Sequence, residues 1–143
     1  MKQVVIDTNV FISAILNPKG SPAAIFKLER EKKIKILVFH PILQEYRKTL
    51  SYPHLQKKHG LSTEQIGKKM LRLVKYGKFI NPETKLDIIA DDPDDNIFLE
   101  CAVAGEVDYI ISGGKHLKDL KNFSGIKILD PAAFLNISGH DHD

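Results

Sequence analysis

The sequence contains one cysteine and no long hydrophobic segment. Because Cys101 is alone, an internal disulfide and a metal cage of cysteines are both excluded. The longest uninterrupted apolar runs are four or five residues, as at 36–39, whereas a membrane-spanning helix needs about 20. Polar and acidic residues follow the first methionine too closely for a secretory signal peptide. A length of 143 residues predicts one domain, and we expect a cytoplasmic protein.

Several catalytic signatures are also missing. The chain has no Gly-x-Ser-x-Gly motif, no phosphate-binding Gly-Lys-Ser/Thr loop and no dinucleotide-binding Gly-x-Gly-x-x-Gly motif. A doubly wound phosphatase requires a second aspartate two residues after the first, and Asn9 stands two residues after Asp7. The histidines within the predicted fold do not pair at metal-ligand spacing. The sequence therefore argues against these hydrolase and nucleotide-binding classes.

Charge is distributed unevenly although the net charge is only +3. The segment 47–78 contains nine lysine and arginine residues and one acid, Glu64. The segment 83–108 contains nine acids and one lysine, Lys85. A basic segment next to an acidic one suits a polyanion bound beside a cation-binding cluster. The alternative interpretation is two solvated surfaces of opposite sign.

Short β-branched runs alternate with helical patterns along the chain. The predicted strands lie at 3–6, 35–39, 79–80, 108–112 and 126–129. Ser62 and Gln65 form a capping-box pattern at the start of one predicted helix. Such alternation predicts an α/β fold with a parallel sheet covered by helices on both faces. We predict a single domain over 1–137 and a flexible tail over 138–143.

Acidic residues follow the strands at the edge where a parallel sheet binds ligands. Asp7 directly follows the first strand, and Glu45 lies near the start of the helix after the second. Asp92, Asp94 and Asp95 begin the helix before the fourth strand. Converging carboxylates repel each other unless a cation intervenes, and they are ligands that Mg²⁺ and Mn²⁺ prefer. The pattern favours a metal site, the alternative for each aspartate being a helix cap.

Five segments in this order resemble the PIN-domain family, the ribonuclease fold of many bacterial toxin–antitoxin pairs. They are VVIDTNVF at 4–11, PILQEY at 41–46, DPDDNIFLECA at 92–102, DYIISGGKHL at 108–117 and LDPAAFL at 129–135. The resemblance implies a three-layer α/β/α sandwich around a central parallel sheet. It also implies cleavage of RNA with Mg²⁺ or Mn²⁺, and homodimers. The implied catalytic and metal-binding acids are Asp7, Glu45 and Asp95, and the implied supporting groups are Asn9, Ser112 and Asp92.

The chain departs from the family at one position. The family's fourth-strand motif usually ends in Gly-Asp, whereas this sequence has Gly113-Gly114. Glycine offers no ligand, so Asp92, Asp94 or Asp119 would have to compensate. We hypothesise a one-metal or weakened ribonuclease that is the toxin of a toxin–antitoxin system. The alternative is a catalytically impaired module that binds RNA or an antitoxin protein.

Basic and aromatic residues in the segment 46–78 predict where RNA binds. The cations expected to contact the RNA backbone are Arg47, Lys48, Lys68, Lys69 and Arg72. Tyr46, Tyr52 and Tyr76 are candidates for stacking on bases. The alternative for each tyrosine is half-buried packing.

Overall fold

The computed structural model describes residues 1–82 and 96–140, which form six strands and eight helices. The strands are β1 (Lys2–Ile6), β2 (Ile34–Val38), β3 (Lys78–Phe79), β4 (Tyr109–Ile111), β5 (Asn122–Phe123) and β6 (Ile126–Leu129). The helices are α1 (Thr8–Leu16), α2 (Ser21–Arg30), α3 (His40–Leu50), α4 (Pro53–His59), α5 (Thr63–Tyr76), α6 (Asn96–Ala104), α7 (Lys115–Leu120) and α8 (Pro131–His140). None of these described helices is long and apolar enough to cross a membrane.

The strands form one sheet in the order β3-β2-β1-β4-β6-β5. Neighbouring strands pair in parallel except β5, which runs antiparallel to β6 at one edge. The predicted α/β fold with a central parallel sheet flanked by helices is confirmed, except that the edge strand β5 makes the sheet mixed. The sequence pattern does not predict β5, because two residues are too few to show a period.

The central strands are buried too thoroughly to alternate between apolar and polar residues. Val5 and Ile6 of β1 are fully buried, as are Ile36 and Leu37 of β2. A parallel strand covered on both faces buries every side chain, which is why these segments read as continuous apolar runs. Cys101 of α6 is also fully buried, and burial raises the pKa of its thiol to about 12. It is a packing residue and not a nucleophile.

Helix boundaries depend on capping residues in two instructive cases. The Ser62 hydroxyl accepts a hydrogen bond from the Gln65 N–H at 3.1 Å, and Gln65 Oε1 accepts one from the Ser62 N–H at 2.8 Å. The predicted capping box is therefore confirmed. By contrast, the sequence predicts a loop or a frayed helical turn over 54–61, where the structure has α4. Pro53 suits its first turn, and Gly60 ends it in the left-handed region with φ 63°.

Two predicted boundaries fall partly outside the described residues. The predicted helix start at Asp94 lies outside them, and α6 is described from Asn96 to its predicted end at Ala104. The helix α8 continues to His140, so 138–140 are helical where the sequence predicts a tail. The remaining tail residues, 141–143, lie outside the described part of the chain.

The order of the strands reverses between β1 and β4. The chain runs outward from β1 to β2 and β3, and later outward in the other direction from β4 to β6. Such a switch point leaves a crevice beyond the carboxyl ends of the two strands, where open α/β sheets bind ligands. Ile6 pairs with Ile111 in the sheet register. The next residue of each strand, Asp7 or Ser112, therefore lies at this crevice.

Candidate functional site

A relay of hydrogen bonds orients Asp7 at the crevice. The Ser112 hydroxyl donates to Asp7 Oδ2 at 2.6 Å, and the Gly114 N–H donates to Ser112 Oγ at 2.9 Å. Asp7 is only 4% exposed and Ser112 is fully buried. The single proton of the Ser112 hydroxyl is directed at the Asp7 carboxylate, and a lone pair of the same oxygen accepts the Gly114 N–H. Ser112 is thus placed as a positioning group for Asp7.

Asp7 does not use its side chain to cap α1. It stands at the N-cap position with an extended backbone, φ −62° and ψ 150°, but forms no side-chain capping bond. The helix-cap alternative is therefore wrong for this residue. Burying a carboxylate costs free energy unless charge or hydrogen bonds compensate. A buried carboxylate of this kind suits a site that receives a cation.

Tyr46 anchors the helix that carries Glu45 to the end of β1. Its hydroxyl donates to the carbonyl oxygen of Ile6, the residue before Asp7. Burial, and then the charge of Asp7, raise the pKa of Tyr46 well above its ordinary value, so the phenol stays protonated and keeps donating. Glu45 precedes this anchor by one residue and is half-buried. Because Tyr46 is fully buried, its prediction as a base-stacking residue is wrong.

Two of the three predicted metal-binding acids lie in the described part of the chain. Asp7 and Glu45 supply the carboxylate oxygens that Mg²⁺ and Mn²⁺ prefer. Three of the remaining acidic candidates fall outside the described residues; they are Asp92, Asp94 and Asp95. The fourth, Asp119, is exposed on α7. Among the residues that are described, no group of three histidine, cysteine, aspartate or glutamate side chains could hold a metal ion. The third acid therefore stays a prediction.

Polar residues occupy the first turn of α1 next to Asp7. Asn9, predicted as a supporting group, is exposed. Thr8 is 6% exposed, and its hydroxyl has no hydrogen-bond partner among the described residues. The sequence does not single out Thr8 as a candidate site residue, because a threonine after an aspartate also suits an ordinary helix start.

Position 114 points at the Asp7 carboxylate. A Cβ added to Gly114 would lie 3.2 Å from Asp7 Oδ2 and 3.4 Å from Ser112 Oγ. The backbone there has φ −79° and ψ 141°, which any residue can adopt. A Cβ added to Gly113 would meet nothing within 4 Å. Gly114 is therefore not required by the backbone, and an acid at this position would stand beside Asp7.

The cations predicted to contact RNA contribute to two surfaces. Arg47 and Lys48 are exposed in the last turn of α3. On α5, Lys68 forms an exposed ion pair with Glu64 at 4.0 Å. The two remaining predicted cations, Lys69 and Arg72, line a cavity of about 410 Å³ bounded by α1, α2 and α5.

This cavity combines an apolar wall with a cationic rim. Phe11 and Phe26 pack edge to face in the wall, with ring centroids 5.9 Å apart. Arg30, Lys69 and Arg72 line it as well, and no described acid forms an ion pair with any of the three. Burial, followed by the charges of Arg72 and Arg30, lowers the pKa of Lys69. The sequence does not reveal this cluster, because Arg30 comes from a distant helix.

Glu29 is a buried acid of the same cavity. Its Oε2 accepts a hydrogen bond from the Ile36 N–H at 3.1 Å, and burial raises its pKa from 4.5 to about 7. Between these values the native state binds more protons than the unfolded state. The free energy of unfolding should therefore fall as pH rises from 4.5 to 7, by roughly 3 kcal/mol. Urea denaturation across this pH range should show a smaller fall in the free energy of unfolding for Glu29→Gln than for wild type.

The matched control is Glu31→Gln, the same change at an exposed position just beyond α2. It should retain the wild-type pH dependence. An equal pH dependence in wild type and Glu29→Gln would assign the effect to other groups.

Three comparisons relate the chain to other proteins. A family profile described as PIN domain matches residues 3–116. The uncharacterized protein MJ1680 of Methanocaldococcus jannaschii is 38% identical over 120 residues, covering 84% of this chain and 76% of that protein. The solved structure of VapBC2 from Rickettsia felis, bound to a DNA fragment from the VapBC2 promoter, matches this chain with a TM-score of 0.58. That match has 15% identity and covers 88% of this chain and 96% of the other, so it concerns the fold alone.

Proposed function

Because the chain belongs to the PIN-domain family, whose members are in general nucleases, we propose that it is a metal-dependent endoribonuclease hydrolysing RNA phosphodiester bonds. The observation that carries the proposal is the buried Asp7 carboxylate, oriented by Ser112 at the switch point of the sheet. The proposed cofactor is Mg²⁺ or Mn²⁺, held by Asp7, Glu45 and Asp95, with Asp92 supporting.

The proposed biological role is that of a toxin in a toxin–antitoxin system. The family resemblance supports this role, and the solved VapBC2 shares the fold. An antitoxin protein is the proposed partner, a homodimer the proposed assembly, and the cytoplasm the proposed location. RNA is the proposed substrate, because the exposed cations of α3 suit a phosphate backbone.

The residues of the site have distinct proposed roles in the reaction. A bound divalent cation would supply Lewis-acid stabilisation of phosphate charge and activation of water. Asp7 and Glu45 present the carboxylate oxygens that hold such an ion. Ser112 keeps the Asp7 carboxylate in one orientation, and Tyr46 holds α3 at the end of β1. The positive end of α1 favours the anionic phosphate nearby.

The test is cleavage of a panel of single-stranded and structured RNAs with Mn²⁺, with Mg²⁺ and with EDTA. We expect cleavage with at least one ion, none in EDTA, and recovery when the ion is restored. Glu45→Gln should cleave at least about tenfold more slowly, because it removes a charged ligand. Glu31→Gln, the same change at an exposed position, should cleave like wild type. Cleavage that persists in EDTA would contradict the proposal.

A second candidate function is a PIN module that binds RNA or an antitoxin without cleaving. The glycine at 114 favours it, because this position points at Asp7 and supplies no ligand. Folded wild-type protein that binds RNA but cleaves with neither ion would support this function over the first.

A further inference from the structure

Tyr52 and His54 form an exposed pair of rings where α3 meets α4. Their centroids lie 6.1 Å apart, and their planes are 21° from parallel. A near-parallel pair at this centroid distance is stacked with an offset, so each ring covers at most part of the other ring's face. Tyr52 is 39% exposed, and His54 is exposed as well. The pair therefore presents near-parallel aromatic surfaces to solvent.

The other three tyrosines are occupied by contacts within the protein. Tyr46 is fully buried. Tyr76 lines the cavity beside α5 and has Lys75 Nζ 5.6 Å from its ring centroid. Tyr109 packs edge to face on Phe134, with centroids 5.7 Å apart. Of the candidates for base stacking, Tyr52 is the most exposed.

The ring pair lies in an acid-free, basic stretch of the surface. The last turn of α3 carries Arg47 and Lys48, and the last turn of α4 carries Lys57 and Lys58. All four are exposed, and the sequence 47–59 contains no acid. A positive surface that follows the backbone, interrupted by aromatic rings that stack on bases, is how proteins bind single strands.

The pair follows the helix that carries Glu45. Glu45 and Leu50 lie on the same helix, about 8 Å apart along its axis, and Tyr52 follows two residues later. The helix α4 packs against α3 and against α1, whose first turn follows Asp7. The rings therefore lie at the junction of two helices, each of which packs against α1.

We propose that Tyr52 and His54 are a stacking platform that binds unpaired bases of the RNA next to the scissile phosphate. This inference rests on the proposed function and adds two binding residues to it. Their partners are unpaired bases, because paired bases do not offer their faces to a side chain. Stacking depends on the base face alone and is tolerant of sequence. The platform contributes affinity, and the cations around it contribute the salt dependence.

The chain has no tryptophan, so Tyr52→Trp introduces a single fluorophore at the platform. The experiment adds 2′-O-methyl RNA, which is not cleaved, and records tryptophan fluorescence. We expect quenching by a single-stranded oligomer, and little by an abasic oligomer of the same length or by a duplex. Phe79→Trp on the exposed edge strand is the matched control and should not be quenched. Equal quenching by the abasic oligomer would overturn the proposal.

Affinity measurements separate stacking from a structural role. Tyr52→Ala should weaken binding of the same oligomer about five- to 150-fold without changing the dependence of log Kd on salt, whereas Tyr52→Phe should bind like wild type. Lys57→Ala with Lys58→Ala should reduce that dependence. The proposal would be overturned if Tyr52→Ala bound the oligomer like wild type. It would also be overturned if an acidic peptide, but not RNA, quenched the tryptophan fluorescence of Tyr52→Trp. These readouts need no cleavage, so they stand apart from the test of nuclease activity.

Discussion

Asp7→Asn is expected to lower RNA cleavage roughly 10³-fold, a loss of about 4 kcal/mol of transition-state stabilisation. Asparagine keeps the size of the side chain and an oxygen that can accept the Ser112 hydrogen bond, but it removes the charge that a divalent cation requires. The fold should not suffer, because the change relieves a carboxylate that is only 4% exposed. The measurements are the cleavage rate at saturating Mn²⁺ and the urea midpoint.

The matched control is Asp108→Asn, which makes the same change just before β4, at the opposite edge of the sheet. Asp108 is exposed and accepts a hydrogen bond from the Gln3 N–H at 2.9 Å. It should cleave RNA like wild type. If Asp7→Asn stays folded and cleaves within about threefold of wild type, Asp7 does not bind a catalytic cation.

Gly114→Asp is expected to tighten Mn²⁺ binding at least about tenfold and to raise the cleavage rate. The new Cβ would lie 3.2 Å from Asp7 Oδ2, so the added carboxylate stands beside the existing one. Without metal the two charges repel, and the free energy of unfolding should fall by roughly 1 to 4 kcal/mol. With Mn²⁺ the variant should regain this loss, since binding to the native state alone stabilises it. Thermal unfolding with and without Mn²⁺ measures both effects.

Two control variants separate charge from shape and from position. Gly114→Asn adds a side chain of the same size without charge, so it should show the steric effect and no gain in Mn²⁺ affinity. Gly113→Asp adds the charge where a Cβ meets nothing within 4 Å, and it should change Mn²⁺ binding little. Equal Mn²⁺ affinity for Gly114→Asp and wild type would show that position 114 does not reach the metal.

The features that can be predicted from the sequence are those that depend on local patterns of residues. The continuous apolar runs of β1 and β2 mark strands buried on both faces, and the capping box of Ser62 and Gln65 marks the start of α5. The rule that ligands gather at the carboxyl ends of parallel strands brings Asp7 and Ser112 together before any coordinates are known. The structure adds the hydrogen bond that joins them.

The rest depends on contacts between distant residues, which no local period encodes. Tyr46 resembles any aromatic residue of an amphipathic helix, and its bond to Ile6 emerges only when α3 packs on β1. The cationic rim of the cavity needs Arg30 of α2 beside Lys69 of α5. The seven residues of α4 are too few to show helical periodicity. The position of the third predicted acid, Asp95, lies outside the described residues.

The hydrogen bond between Ser112 and Asp7 joins residues 105 positions apart, and this separation matters during synthesis. Chains emerge from the ribosome with their amino terminus first, so Asp7 is exposed to the cell long before Ser112 exists. A nascent or truncated chain that ends before β4 carries Asp7 without the hydroxyl that orients it and without the strand that closes the crevice. The Asp7 site is therefore assembled only when most of the protein has been made.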